Sequence, residues 1–300
     1  MINSRFKALP KADVHNHLHL CPSRERFFKL YPNFNYDFPN AYNGLDGMVD
    51  FILNNFNSIL NSREDVVALF NASLQSSIDD NVTYLEASID TYLSRFFDNS
   101  IDNLLVEVKA IQETYNDKIT FKPDIGINKS IDKKLVNTYA EACFDSNLFN
   151  GIDIYGIETG QDLEHFKPIY RQANKLDYKT KVHIGEFSDA QSIKNTIELL
   201  DPNELQHGIS AIHSDYVLDM IIERDIQLNI CPESNLRLGA VKSLKTHPIR
   251  KLFDKGIRVT INTDDTVLFN KTVSDQFDDF LNENIFSFDE LDVIRKNAFY

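Results

Sequence analysis

At 300 residues, with 42% hydrophobic and 25% charged residues, the chain has the apolar content of a packed globular protein, which excludes wholesale disorder. Forty-five acids against 31 bases leave a net charge of −14, which opposes a polyanionic partner and excludes general nucleic-acid binding. Three well-separated cysteines (Cys21, Cys143 and Cys231) imply no disulfide framework, and no run of 18 apolar residues offers a membrane span. Residues 1–10 carry two bases and no apolar stretch of the secretory type, so the expectation is a soluble, cytoplasmic protein. Neither G-x-G-x-x-G nor G-x-x-x-x-G-K-[ST] occurs, which removes the dinucleotide and P-loop readings tied to those fingerprints.

Short β-branched runs predict strands at 12–18, 82–89, 119–127, 151–157, 179–186, 204–209, 226–231 and 258–263. Between them, apolar residues at three- and four-residue spacing predict helices over 101–115, 135–144, 166–176, 192–200 and 216–224. The stretch 45–78 is long enough for two or three helices, and 21–43 reads as a Pro/Asn-rich excursion over one face. Strands alternating with helices imply βαβ units and a parallel sheet. Eight such units in a chain of this length predict an α/β (β/α)₈ TIM barrel. Its extra helices follow the first strand. At about 150 residues per domain two domains would fit, yet α/β barrels fill this length as one. No linker or repeat divides the chain, so residues 1–300 are expected to form a single domain. The end, residues 297–300, falls inside a final helical pattern and predicts a continuing terminal segment.

The eight histidines carry the chemistry. His15 and His17 stand two apart, so on a strand both face one side, where two imidazoles can share a divalent cation. His183, with Glu186 three residues on, lies near a strand end. His207 and the pair Asp264 and Asp265 close two more strands. All would meet at the C-terminal rim of a barrel, the face that carries active sites in this architecture. Three histidines and one aspartate suit zinc with an open position. His165 and His213 read as surface or capping residues, His247 as shaping a loop or helix start, and Cys143 as core. Phe51 and Phe56 are candidates to line an apolar, purine-sized pocket. No nucleophilic Ser or Cys signature is present, and Cys231-Pro-Glu-Ser234 lacks the second cysteine of a cytidine-type zinc site.

In chain order, these residues resemble the adenosine/AMP deaminase family of the metal-dependent amidohydrolases. Leu9-Pro-Lys-Ala-Asp-Val-His-Asn-His-Leu18 is similar to LPKxxxHxHL, His183-Ile-Gly-Glu186 to HAGE, and Gln206-His-Gly208 to GHG. Cys231-Pro-Glu-Ser-Asn235 is similar to CPxSN, His247-Pro-Ile to HPI, and Thr263-Asp-Asp265 to TDD. The resemblance spans nearly the whole chain, most closely the short adenosine-type members. It implies zinc-dependent hydrolysis of the 6-amino group of adenosine or an adenosine-like purine. One Zn²⁺ per chain would be held by His15, His17, His183 and Asp264. Glu186 would protonate purine N1, His207 would orient and deprotonate the attacking water with Asp264 steering it, and Asp265 would contact N7. Gly156 would donate its N–H to N3. The implied partner is a small purine, with neither nucleic-acid polymer nor membrane.

The chain departs from the family at the sugar end. His19-Leu20 stands where the family has Asp-Gly, whose Asp contacts the ribose 5′-hydroxyl, and Tyr84-Leu-Glu-Ala-Ser88 lacks the usual Arg. His19, with Arg24, Arg26 and Lys29 beyond it, could favour a 5′-phosphate or other acidic substituent, or the loop could be solvated surface. Two further readings stay open, a barrel metallo-phosphoesterase, which would need more metal ligands, and a non-catalytic relative.

Overall fold

Val- and Ile-rich segments form eight parallel strands, each hydrogen-bonded to the next in chain order, in a computed structural model that describes residues 4–300. Residues 1–3 of the expected domain lie outside the described part. The strands are β1 (Lys11–Asp13), β2 (Val82–Asp90), β3 (Thr120–Asn128), β4 (Gly151–Tyr155), β5 (Lys179–Ile184), β6 (Glu204–His207), β7 (Gln227–Ile230) and β8 (Val259–Ile261). The seam between β1 and β8 is closed past their ends by a single bridge, Asn16 to Asp264. The result is the (β/α)₈ barrel expected from the alternation of strands and helices.

Three helices follow β1, namely α1 (Arg24–Leu30), α2 (Gly44–Asn54) and α3 (Arg63–Asp79), with a 3₁₀ turn at Phe56–Ile59. Ser23 and Ser62 cap α1 and α3 by accepting from backbone N–H groups. The outer ring continues with α4 (Ile101–Tyr115), α5 (Lys133–Ser146), α6 (Lys167–Lys175), α7 (Ala190–Leu200) and α8 (Asp215–Glu223). The last third adds α9 (Pro232–Arg237), α10 (Ile249–Asp254), α11 (Thr266–Phe269), α12 (Val273–Asn282) and α13 (Phe288–Asn297).

Alternation sorts the strand side chains. Ile152, Ile154, Val182 and Ile184 join the apolar layer under the helices, while Asp153, Lys181 and His183 point the other way. Inside the barrel, buried Lys181 donates to Glu86 (2.5 Å), Asp124 (2.7 Å) and the Val14 carbonyl (3.1 Å). Removing one partner of such a buried pair typically costs about 3–5 kcal/mol, so this network fixes the floor beneath the site.

Six of the expected strands prove too long, and three of these shortenings shape the site. β1 stops at Asp13 rather than residue 18; His15 lies in a bend and His17 in a bridge beyond it, before a 3₁₀ turn at Leu18–Leu20. β6 stops at His207 because His207 and Gly208 turn left-handed (φ 70° and 68°), which ends pairing. β8 stops at Ile261, and the seam then turns at Asp264 (φ 61°).

Candidate active site

The seam brings the two ends of the chain together at the rim. The His17 N–H donates to the Asp264 carbonyl (3.2 Å), and the Asp264 N–H donates to the His15 carbonyl (3.0 Å). Two sequence-distant ligand candidates are thereby held by backbone bonds. His15 Nδ1 donates to the Asn229 carbonyl (2.7 Å), His183 Nδ1 to Asp153 Oδ1 (3.1 Å) and His17 Nδ1 to Asp90 Oδ1 (3.1 Å). Each acceptor has no hydrogen of its own, so each ring donates from Nδ1 and, when neutral, leaves the Nε2 lone pair free. His15 Nε2 and His183 Nε2 stand 3.1 Å apart, and Asp264 Oδ1 is 3.7 Å from His15 Nε2. Facing lone pairs beside a buried carboxylate repel unless a cation lies between them. The donor set suits one.

Ligand atoms of His15, His183, His207 and Asp264 all fall within 4.8 Å of one another, so His207 joins three of the four expected ligands. His17 packs against the same group, its ring centroid 5.4 Å from that of His183. Burial works against charge on His17, but Asp90 outweighs it and holds the pKa up at about 10, so a metal there displaces a proton.

His207 and Asp264 both hold positive φ without being glycine, a backbone strain of order 1–3 kcal/mol each that clusters at functional sites. Gly185 (φ 81°) makes the turn between His183 and Glu186, and a Cβ there would meet Ile193 at 2.5 Å. The turn is clamped by Glu158, whose carboxylate accepts from the N–H groups of Gly185, Glu186, Phe187 and Ser188 at 2.8–3.2 Å. Glu186 is thus held at the rim, its Oε2 3.6 Å from His207 Nε2. Burial, with the nearby Asp264 and Glu158 charges, raises the Glu186 pKa well above the ordinary carboxylate value, which favours its protonated form. Burial and Asp264 do the same to Asp265. Burial depresses His207 well below the ordinary imidazole value, so it stays neutral.

These groups line one cavity of about 430 Å³. His17, His19, Asp90, Tyr155, Gly156, Glu158, His183, Glu186, His207, Asp264 and Asp265 face it, and α2 closes one side with Leu45, Met48, Val49, Ile52 and Leu53. The Asp265 Oδ1 in its wall is buried and without a hydrogen-bond partner. His19 is buried too, its Nε2 3.0 Å from the Tyr92 hydroxyl, and burial lowers its pKa to about 4 despite Asp90.

Several expectations are corrected. Phe51 and Phe56 do not line the cavity; Phe56 is buried against Phe27, and Phe51 packs on Phe38 and Tyr42. The basic loop does not face it either. Arg24 donates to the Val267 and Leu268 carbonyls, Arg26 pairs with Asp79 and Lys29 with Glu25. The one Lys or Arg among the described lining residues is Arg95, stacked over Tyr92 and Phe96. His247, assigned to a helix start, does accept from the Ile249 N–H there (3.1 Å), but it is also buried beside the site and bonds Asn235 (3.1 Å). His213 is exposed, His165 half-buried against Phe166, and Cys143 buried, as expected. Asp90, Asp153 and Glu158 escaped the reading of the chain, and Asn235 and His247 appeared there only as parts of motifs, without a role in the site. Asp90 and Asp153 sit on β2 and β4 at the rim, a signal of polar strand positions shared with His183. Nothing local marks Glu158.

A parallel barrel with histidines and an aspartate converging at its C-terminal rim has the architecture of a barrel enzyme with a candidate metal centre. The sequence profile described as adenosine deaminase matches residues 10–300, and the chain belongs to that family. A Treponema pallidum protein described as an adenosine/adenine deaminase is 36% identical over 280 residues, covering 92% of each chain. An adenine deaminase from Arthrobacter aurescens shares the fold at TM-score 0.85 and 21% identity, covering 97% of this chain and 93% of its own. An amidohydrolase from Burkholderia ambifaria solved with bound Zn shares it at TM-score 0.80 and 18% identity, covering 98% and 85%. No helix among the described residues is long and apolar enough to cross a membrane.

Proposed function

We propose that residues 1–300 act as one catalytic domain that hydrolyses the 6-amino group from an adenine nucleoside, with one Zn²⁺ per chain. The carrying observation is the set of three histidines whose Nδ1 atoms are each tied to an acceptor, with His15 and His183 beside Asp264 and with Glu186 buried at the same rim next to His207. His15, His17, His183 and Asp264 would hold the ion. When bound, it lowers the pKa of a coordinated water towards about 7, making a nucleophile available at neutral pH.

The chain's residues supply the remainder. Glu186 gives its proton to purine N1 as C6 is attacked, which withdraws electrons from that carbon. Asp264 and His207 orient the water. Of its two hydrogens, one leaves with the amine as ammonia and the other returns to Glu186. Asp265, protonated, donates to N7, and the Gly156 N–H faces N3 at the base edge. His19 and the apolar α2 wall meet the sugar end, where Arg95 is the sole Lys or Arg among the described lining residues. That wall favours a neutral nucleoside over a 5′-phosphate, the second reading.

A phosphoesterase with two or three ions would need further ligands, and the described residues hold a single cluster of this kind. A non-catalytic relative would have no use for a buried Glu186 held between Asn235 and His207 at the rim. The test is ammonia release and conversion of adenine to hypoxanthine absorbance by metal-loaded protein, with metal counted per chain. Failure on free adenine, nucleosides and monophosphates alike overturns the reading.

A further inference from the structure

One amide touches both proton-handling groups. Asn235 Nδ2 donates to Glu186 Oε1 (2.6 Å) and lies 3.2 Å from His207 Nδ1. Its orientation is not free. His247 Nδ1 accepts from the Ile249 N–H (3.1 Å), so in the neutral ring the hydrogen is on Nε2. His247 Nε2 stands 3.1 Å from Asn235 Oδ1, to which it must donate. The amide oxygen is thereby claimed by His247, and both amide hydrogens face the site. His247 and Asn235 are both buried, at 3% and 0% exposure, so water does not compete for these bonds.

We infer that His247 and Asn235 are positioning residues that place two protons at once, and this rests on the deaminase reading above. A hydrogen donated to His207 Nδ1 obliges that ring to carry its own hydrogen on Nε2. His207 is then the opposite tautomer from His15, His17 and His183. It presents an N–H to the cavity and no lone pair, which separates it from the metal ligands despite lying among them. It orients the attacking water by donating to its oxygen, and it is not the base that the family resemblance implies. The same amide occupies Glu186 Oε1, so the acid's hydrogen sits on Oε2, the oxygen nearer His207 Nε2.

The experiment is nitrogen–proton correlation of the imidazoles in ¹⁵N-histidine-labelled, zinc-loaded full-length protein, which reports the protonated nitrogen of each ring. His207 is assigned by its loss in His207→Gln. The wild type should show His207 protonated on Nε2. Asn235→Asp, nearly isosteric and acceptor-only, should move that hydrogen to Nδ1. It should lower kcat at least tenfold, with zinc content unchanged and KM within about threefold. His247→Ala should mix the tautomers and lower kcat, while His247→Gln, which keeps a donor for Asn235 Oδ1, should restore most of both. A wild-type His207 protonated on Nδ1, or an Asn235→Asp protein with unchanged tautomer and kcat, overturns the inference. Absence of deamination by the wild type would instead defeat the functional reading and leave the tautomer measurement standing on its own.

Discussion

His183 Nδ1 donates to Asp153 Oδ1 at 3.1 Å, and this bond turns the opposite nitrogen, Nε2, to within 3.1 Å of His15 Nε2. The carboxylate behind the ring, set on the neighbouring strand β4, thus determines which nitrogen faces the metal position. Asp90 does the same for His17.

Asp153→Asn keeps the shape but removes the charge. Loss of such a supporting partner typically costs about 10–100-fold in metal affinity. Competition with a chelator should show a drop in that range, with the fold retained by circular dichroism. Unchanged affinity would leave His183 oriented by something else.

Glu186→Gln removes the acid and keeps the hydrogen bond to Asn235. General acid catalysis contributes about 10²- to 10⁴-fold, so kcat should fall by that much while metal content stays at the wild-type level. Turnover at the wild-type rate would take Glu186 out of the reaction.

Glu158→Ala strips the acceptor from four backbone N–H groups on the turn that carries Glu186. A fully buried unmet donor costs about 1–3 kcal/mol, and these are partly buried or exposed, so denaturant melts should shift by less than that per bond and kcat should fall more than KM rises. Loss confined to KM would mean that Glu158 meets substrate and does not position the turn.

Across the 5′ position, kcat/KM should be at least tenfold higher for the nucleoside than for the monophosphate. Arg95→Ala should lower residual monophosphate turnover and leave the nucleoside within about twofold. The reverse preference would make Arg95 an anion anchor.

Stability should fall on acidification. Burial lowers His247 to about 3 and His19 to about 4 from an ordinary 6.5. Between those values and 6.5 the unfolded chain binds more protons than the folded one. The stability these neutral rings contribute is therefore present above pH 6.5 and lost as pH falls through the folded values. Urea melts of His247→Gln should lose less between about pH 6.5 and 4 than the wild type does.

The barrel was legible because β-branched runs and helical spacing alternate eight times, and the site was legible because His183, His207 and Asp264 lie at or just beyond strand ends. What stayed hidden depends on pairs distant in sequence. Asp90 meets His17 across 73 positions and Asp153 meets His183 across 30, so neither looks like a partner in the chain. The basic loop misled for the same reason. Arg24 looks free in sequence, yet its donors go to carbonyls 243 and 244 residues away. Phe51 and Phe56 were aromatic and near the mouth, but helix phase turns Met48, Val49 and Ile52 to the cavity instead.

Zinc-dependent deamination is checked by stripping metal from the protein and restoring zinc while following ammonia release from adenosine. The stripped protein should show no turnover, and recovery should saturate at one zinc per chain. Full activity in the stripped protein, or none from any adenine compound after one zinc has bound, would contradict zinc-dependent deamination.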